Sequence, residues 1–185
     1  NFIIIMNNFI QFLTYFRIIS GPIIFILIVI LKLYGVAFIL FMLASISDYW
    51  DGYLARRYQL VSVMGEVLDP IADKILIVFL LIGLTLNFES TYIGFVTAVI
   101  LAREFWVAAL RDMNARNNNI NATKVTFVAK IKTAIQLLAI GTYLAGLFFN
   151  SVLIIFIADF ILFLALLITI KTGLEYTVLS FLNHQ

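Results

Sequence analysis

Four of the chain's six aspartates fall in one stretch, Ser47 to Lys74, which reads SDYWDGYLARRYQLVSVMGEVLDPIADK. Asp48, Asp51 and Ala55 stand at i, i+3 and i+7, one face of a helix, and Gly65, Asp69 and Asp73 stand at i, i+4 and i+8, again one face. Two antiparallel helices joined by a short loop would turn these faces toward each other and bring four carboxylates into one small volume. Beside apolar segments, four such charges repel one another and are costly to desolvate. A hard divalent cation resolves that conflict: Mg²⁺ and Mn²⁺ take carboxylate and water oxygens, and Mg²⁺ sites commonly add substrate phosphates. Two such ions about 3.5–4 Å apart clamp a diphosphate and stabilise attacking and leaving oxygens alike. Gly52, Ala55 and Gly65 leave room for a ligand to approach the helix backbone, and Arg56 supplies a planar donor fork for phosphate oxygens. These residue types at these spacings suit metal-assisted transfer of a phosphoryl group.

The elements that must carry these faces are apolar. The 185 residues are 64% hydrophobic and 12% charged, about half the charge of a soluble domain, so much of the surface must face lipid. Six apolar runs are separable: Phe9–Leu31, Leu33–Ala55, Pro70–Leu86, Tyr92–Leu110, Val125–Phe149 and Val152–Ile170. Each is near the ~20 residues that cross the hydrocarbon core as helix, and each is too long for a barrel strand. Pro70 opens the third run, where a first-turn proline is tolerated. The expected fold is all-α, an integral membrane bundle of six transmembrane helices forming one domain over residues 1–185. Residues 1–7, around Met6, read as a disordered or added extension.

Charge orients the bundle. Arg56 and Arg57 end the second run, and Arg111, Arg116, Lys124, Lys130 and Lys132 surround the polar loop Asn114–Thr123, whereas the opposite loops hold only Lys32. The positive-inside rule then puts both termini, both basic loops and the aspartates on the cytoplasmic side. The expected location is a bacterial cytoplasmic (inner) membrane. Heavy use of Phe and Ile suits an AT-rich genome. The absence of cysteine excludes disulfides and thiolate chemistry. A net charge of +2 with no basic tract argues against a nucleic-acid partner. His184, in the C-terminal tail, is assigned no role.

The Ser47–Lys74 stretch resembles the signature of the CDP-alcohol phosphotransferase family, D-x2-D-G-x2-A-R-x8-G-x3-D-x3-D. Asp48, Asp51, Gly52, Ala55, Arg56, Gly65, Asp69 and Asp73 meet it with every spacing kept. Chance agreement at eight fixed positions is on the order of 10⁻¹⁰ per start site. The resemblance implies an enzyme that uses Mg²⁺ or Mn²⁺, as two ions, to move a phosphatidyl or related group from a CDP-linked lipid to an alcohol, releasing CMP. It implies that Asp48, Asp51, Asp69 and Asp73 surround the metal, with Asp73 also the general base that takes the acceptor's hydroxyl proton. It further implies that Asp51, Gly52, Ala55, Arg56 and Gly65 bind the CDP-lipid, that no covalent enzyme intermediate forms, and that two copies pair as a homodimer.

Further features look like the branch of this family that joins CDP-diacylglycerol to glycerol 3-phosphate. They are Thr14, Arg17 and Pro22 in the first run, Leu68 to Lys74, Arg103-Glu104 with Leu110-Arg111, and Lys130 to Thr133 with Gln136. A phosphorylated acceptor carries about two negative charges and needs cationic partners. Thr14, Arg17, Arg103, Arg111, Lys130 and Lys132 are the candidates. Arg103 and Arg111 share a helix face, whereas Lys130 and Lys132 do not. An acceptor such as phosphatidylglycerol, as in a cardiolipin synthase, would need fewer cations, and an inositol-phosphate user is a further member-type. Outside the family, intramembrane acids also mark cation transporters. Here, however, they cluster at one end of two spans, and the chain lacks a matched pair of interrupted helices. A purely structural membrane subunit leaves the eight-position match unexplained.

Overall fold

The computed structural model describes residues 2–58, 63–116 and 127–182. Six helices follow one another: α1 Phe2–Val29, α2 Tyr34–Tyr58, α3 Val63–Phe88, α4 Thr91–Arg116, α5 Phe127–Phe148 and α6 Val152–Leu182. Five of them are long and apolar enough to cross a membrane. The exception is α2, whose apolar part is the shorter Tyr34–Asp48 before it turns polar at the aspartates. The all-helical bundle expected from the sequence is what forms, and the chain is an integral membrane protein.

The three tight links at one end of the bundle share a device. Lys32, Glu89 and Asn150 each take a positive φ of 54°, 49° and 50° just past a helix end. After α3 and α5 the next residue's N–H turns back to the helix, Ser90 to Thr85 O at 3.3 Å and Ser151 to Gly146 O at 3.0 Å. This left-handed cap satisfies carbonyls that have no intrahelical donor and reverses the chain within two or three residues. Ser90 then opens α4, its Oγ accepting from Ile93 N–H at 3.3 Å.

Packing is dominated by α1 against α3 and α2, and by α6 against α5 and α4. The core threads Ile24 and Ile28 of α1, Leu76, Leu80 and Leu84 of α3, Ile100 of α4, and Ile140 and Leu144 of α5. Phe12, Ile19, Phe95, Phe105, Phe156 and Phe160 face outward, as lipid-exposed side chains should. At Gly21 a side chain would meet the α3 backbone at Ile75 O and Leu76 Cα, both 3.4 Å away. α1 therefore runs close against α3 one turn from the aspartates.

Three boundaries differ from the sequence reading. α1 begins at Phe2 and takes in the stretch before Met6. Pro70 lies inside α3 rather than at its start, because Met64, Glu66 and Leu68 favour helix upstream of it; the ring leaves the Glu66 carbonyl without its usual donor. And α6 runs past Ile170 to Leu182.

Candidate active site

Asp48, Asp69 and Asp73 gather on one face of α1. Arg17 Nη1 lies 2.7 Å from Asp48 Oδ1 and 2.7 Å from Asp73 Oδ1. One turn away, Thr14 Oγ1 donates to Asp69 Oδ1 at 2.8 Å. Thr14 and Arg17 stand at i and i+3, so one stripe of α1 gathers acids from both α2 and α3. The two acidic faces therefore meet through α1. The Arg17 side chain is 0% exposed, against 43% for Asp48 and 25% for Asp73. The guanidinium is thus sealed behind carboxylates that stay open on the other side.

The helix backbones carry Asp51, Gly52, Ala55, Arg56, Gly65 and Lys130 at the same end of the bundle, but their side chains lie outside the described ones. Among the described residues no three acids enclose an ion by themselves. The donor chemistry nevertheless fits a hard divalent cation. Two carboxylates already share one cationic nitrogen, both remain accessible, and every described candidate donor is a carboxylate oxygen.

Asp69 and Asp73 also line a cleft of about 750 Å³ between α3, α4 and α5. Its remaining polar wall holds four cations, Lys74 of α3, Arg103 and Arg111 of α4, and Lys132 of α5, beside Glu104, Thr133 and Gln136. Deeper in, Ile77, Ile100 and Leu101 make it apolar. Glu104 offsets part of the charge. It accepts from Arg103 Nη1 at 3.0 Å and from Lys132 Nζ, and lies 3.7 Å from Lys74 Nζ.

Behind this wall stands α6. Arg103 Nη2 donates to Thr172 Oγ1 at 2.9 Å and Arg111 Nη2 to Tyr176 Oη at 2.8 Å. The Tyr176 ring lies beneath both guanidiniums, 5.8 Å from Arg103 Cζ and 5.0 Å from Arg111 Cζ. The ladder continues with Asn114 Nδ2 donating to Ser180 Oγ at 2.8 Å, and Gln136 Nε2 donates to Thr169 Oγ1 at 3.2 Å. Room for Arg103 comes from Gly173, where a Cβ would sit 3.1 Å from Arg103 Cγ. Even so, the Nε of Arg103 and the Nε of Arg111 are buried without a hydrogen-bond partner. Arg103 Nε lies on the α6 side of the wall, 3.8 Å from where a Cβ on Gly173 would sit.

The sequence-predicted acceptor residues thus separate into two groups. Arg103, Arg111 and Lys132 line the cleft, whereas Thr14 and Arg17 hold aspartates. Sequence reasoning gave no role to Glu104 and missed Thr172 and Tyr176. Buried Thr169, Thr172, Tyr176 and Ser180 form a polar stripe at helical spacing, a legible signal in a segment placed beyond the last apolar run.

The chain is similar to several proteins that share one name. The chain is 36% identical over 174 residues to the CDP-diacylglycerol–glycerol-3-phosphate 3-phosphatidyltransferase of Rickettsia typhi, covering 92% of this chain and 96% of that one. It is 38% identical over 139 residues to the protein of the same name from Rickettsia bellii, 75% of each chain. The Shigella flexneri protein of that name is 29% identical over 167 residues, covering 89% of this chain and 90% of its own. Residues 8–177, almost the whole bundle, match the profile of the CDP-alcohol phosphatidyltransferases, and the chain belongs to that family.

Proposed function

We propose that the chain transfers the phosphatidyl group of CDP-diacylglycerol to glycerol 3-phosphate, giving phosphatidylglycerophosphate and CMP. One observation carries this reading: the carboxylates Asp69 and Asp73 and the cations Arg103, Arg111 and Lys132 line a single cleft. A phosphorylated alcohol gripped by the cations has its hydroxyl within the same cleft as Asp73. The names of the relatives support the same donor and acceptor.

Each residue has a distinct task in this account. Asp48, Asp51, Asp69 and Asp73 are the residues that would hold Mg²⁺ or Mn²⁺, as two ions. The metal, when bound, neutralises the diphosphate and stabilises the leaving oxygen. Arg17 and Thr14 hold the carboxylates in register, and their partners on the aspartates argue for that task over contact with the acceptor's phosphate. Asp51, Gly52, Ala55, Arg56 and Gly65 take the CDP-lipid. Arg103, Arg111 and Lys132, with Lys130 beside them in sequence, take the acceptor's phosphate from the wall of that cleft. Asp73 accepts the proton from the acceptor hydroxyl. The freed oxygen bonds to the phosphorus that carries the diacylglycerol, the bond from that phosphorus to the CMP oxygen breaks, and CMP leaves. The site end faces the cytoplasm of a bacterium, with both termini on that side, by the charge bias of its loops. Two copies pair through their spans, as the family resemblance implies.

The test is CMP release from CDP-diacylglycerol by detergent-purified protein, with one acceptor offered at a time. Release with glycerol 3-phosphate alone, stopped by EDTA, is expected. Release that favours phosphatidylglycerol, inositol 1-phosphate, inositol or serine would overturn the acceptor assignment while keeping the chemistry.

A further inference from the structure

Glu104 touches three of the four described cations of the cleft, and they come from three helices. Its Oε1 accepts from Arg103 Nη1 at 3.0 Å and from Lys132 Nζ, and its Oε2 lies 3.7 Å from Lys74 Nζ. α4 packs on α3 and α6, while α5 packs on α6, α2 and α3. The contact from Glu104 to Lys132 therefore reaches across the cleft. The site is dry enough for these charges to matter, since the side chains of Lys132, Arg103 and Glu104 are 6%, 9% and 17% exposed. Like charges held at this depth repel strongly, and a buried cation stripped of its counterion turns away or is neutralised.

Glu104 does not use up what it holds. Of the four Nη–H donors of Arg103 one goes to Glu104 and one to Thr172, and an ammonium has three donors, of which Lys132 spends one on Glu104. Nor does the carboxylate join the aspartate cluster, whose described contacts run to Thr14 and Arg17. We infer that Glu104 is a positioning residue for the acceptor. It keeps Lys74, Arg103 and Lys132 converged as a preformed cradle for a phosphate monoester and takes no part in the chemical step. Preorganised donors bind an anion better than donors that must be gathered at the moment of binding. The inference rests on the reading that the acceptor is a phosphorylated alcohol.

The experiment is steady-state CMP release by wild type, Glu104→Gln and Glu104→Asp, with each substrate varied in turn. In Glu104→Gln the side chain keeps its size and loses its charge. The KM for glycerol 3-phosphate should rise about tenfold or more, as for one lost charge-assisted contact. The kcat and the KM for CDP-diacylglycerol should stay within about twofold. Glu104→Asp keeps the charge with a shorter reach and should give a smaller rise in the same KM, and it carries the test alone if the Gln variant does not fold. An unchanged or lowered KM for glycerol 3-phosphate would overturn the inference, because Glu104 would then be inert or a competing anion. A parallel loss of kcat, of both KM values and of thermal stability would also overturn it, in favour of a general packing role. Wild type that releases no CMP with glycerol 3-phosphate sinks the acceptor reading and this inference with it. Active wild type with an unaltered variant sinks the inference alone.

Discussion

The two ends of this bundle handle buried polarity in opposite ways. At the tightly linked end every described polar contact closes on the protein itself. Tyr143 donates to Asp159, Tyr92 Oη donates to the Asp159 carbonyl at 2.9 Å, and Tyr34 Oη donates to Asn87 Oδ1 at 3.0 Å. The helix ends there are capped by their own links. At the other end the Nε of Arg103 and of Arg111 stay buried without partners, and Asp48 and Asp73 are left open beside a sealed arginine. In a membrane, satisfied polar groups hold helices together, whereas open carboxylates beside a cationic cleft leave room for a ligand. One end is a fastening and the other carries the candidate site.

Substitutions can break that contrast. The largest effect should come from Asp73→Asn, which removes the proposed base: CMP release should fall by about 10²–10⁴-fold while the protein melts close to wild type. Arg103→Lys should come next. It keeps the charge and loses the fork that reaches Thr172 and Glu104 together, and the KM for glycerol 3-phosphate should rise about tenfold to a hundredfold. Gly173→Ala forces a methyl group to within 3.1 Å of Arg103 Cγ. A severalfold rise in that same KM is expected, with the KM for CDP-diacylglycerol unmoved. Tyr143→Phe, at the fastened end, should cost about 1 kcal/mol of stability, read as a lower melting temperature, and leave both KM values alone. A change in either KM from Tyr143→Phe would show that the two ends are coupled rather than separate.

Much of this was legible in the residues themselves. The six helices follow from continuous apolar runs, because lipid allows no other use of such segments. The aspartates at helical spacing pointed to the site end, and Asp48, Asp69 and Asp73 come together there. What stayed hidden is tertiary. Thr14 and Arg17 look like a substrate motif in one dimension, and only packing shows that α1 carries them onto the acids of α2 and α3. Glu104 reads as one acid beside an arginine until three helices bring their cations to it. Thr172 and Tyr176 were missed because hydropathy ends the sixth run at Ile170, whereas the helix continues to Leu182. Pro70 similarly suggested a helix start, although neighbouring helix formers carry α3 straight through it.

The most direct test of the account follows radiolabelled glycerol 3-phosphate into the lipid phase while CMP is counted in the aqueous phase. With CDP-diacylglycerol and Mg²⁺ or Mn²⁺ present, label should enter lipid one for one with CMP released, and both should vanish with EDTA or in Asp73→Asn. CMP released without label in lipid, or label transfer that survives EDTA and Asp73→Asn, would contradict it.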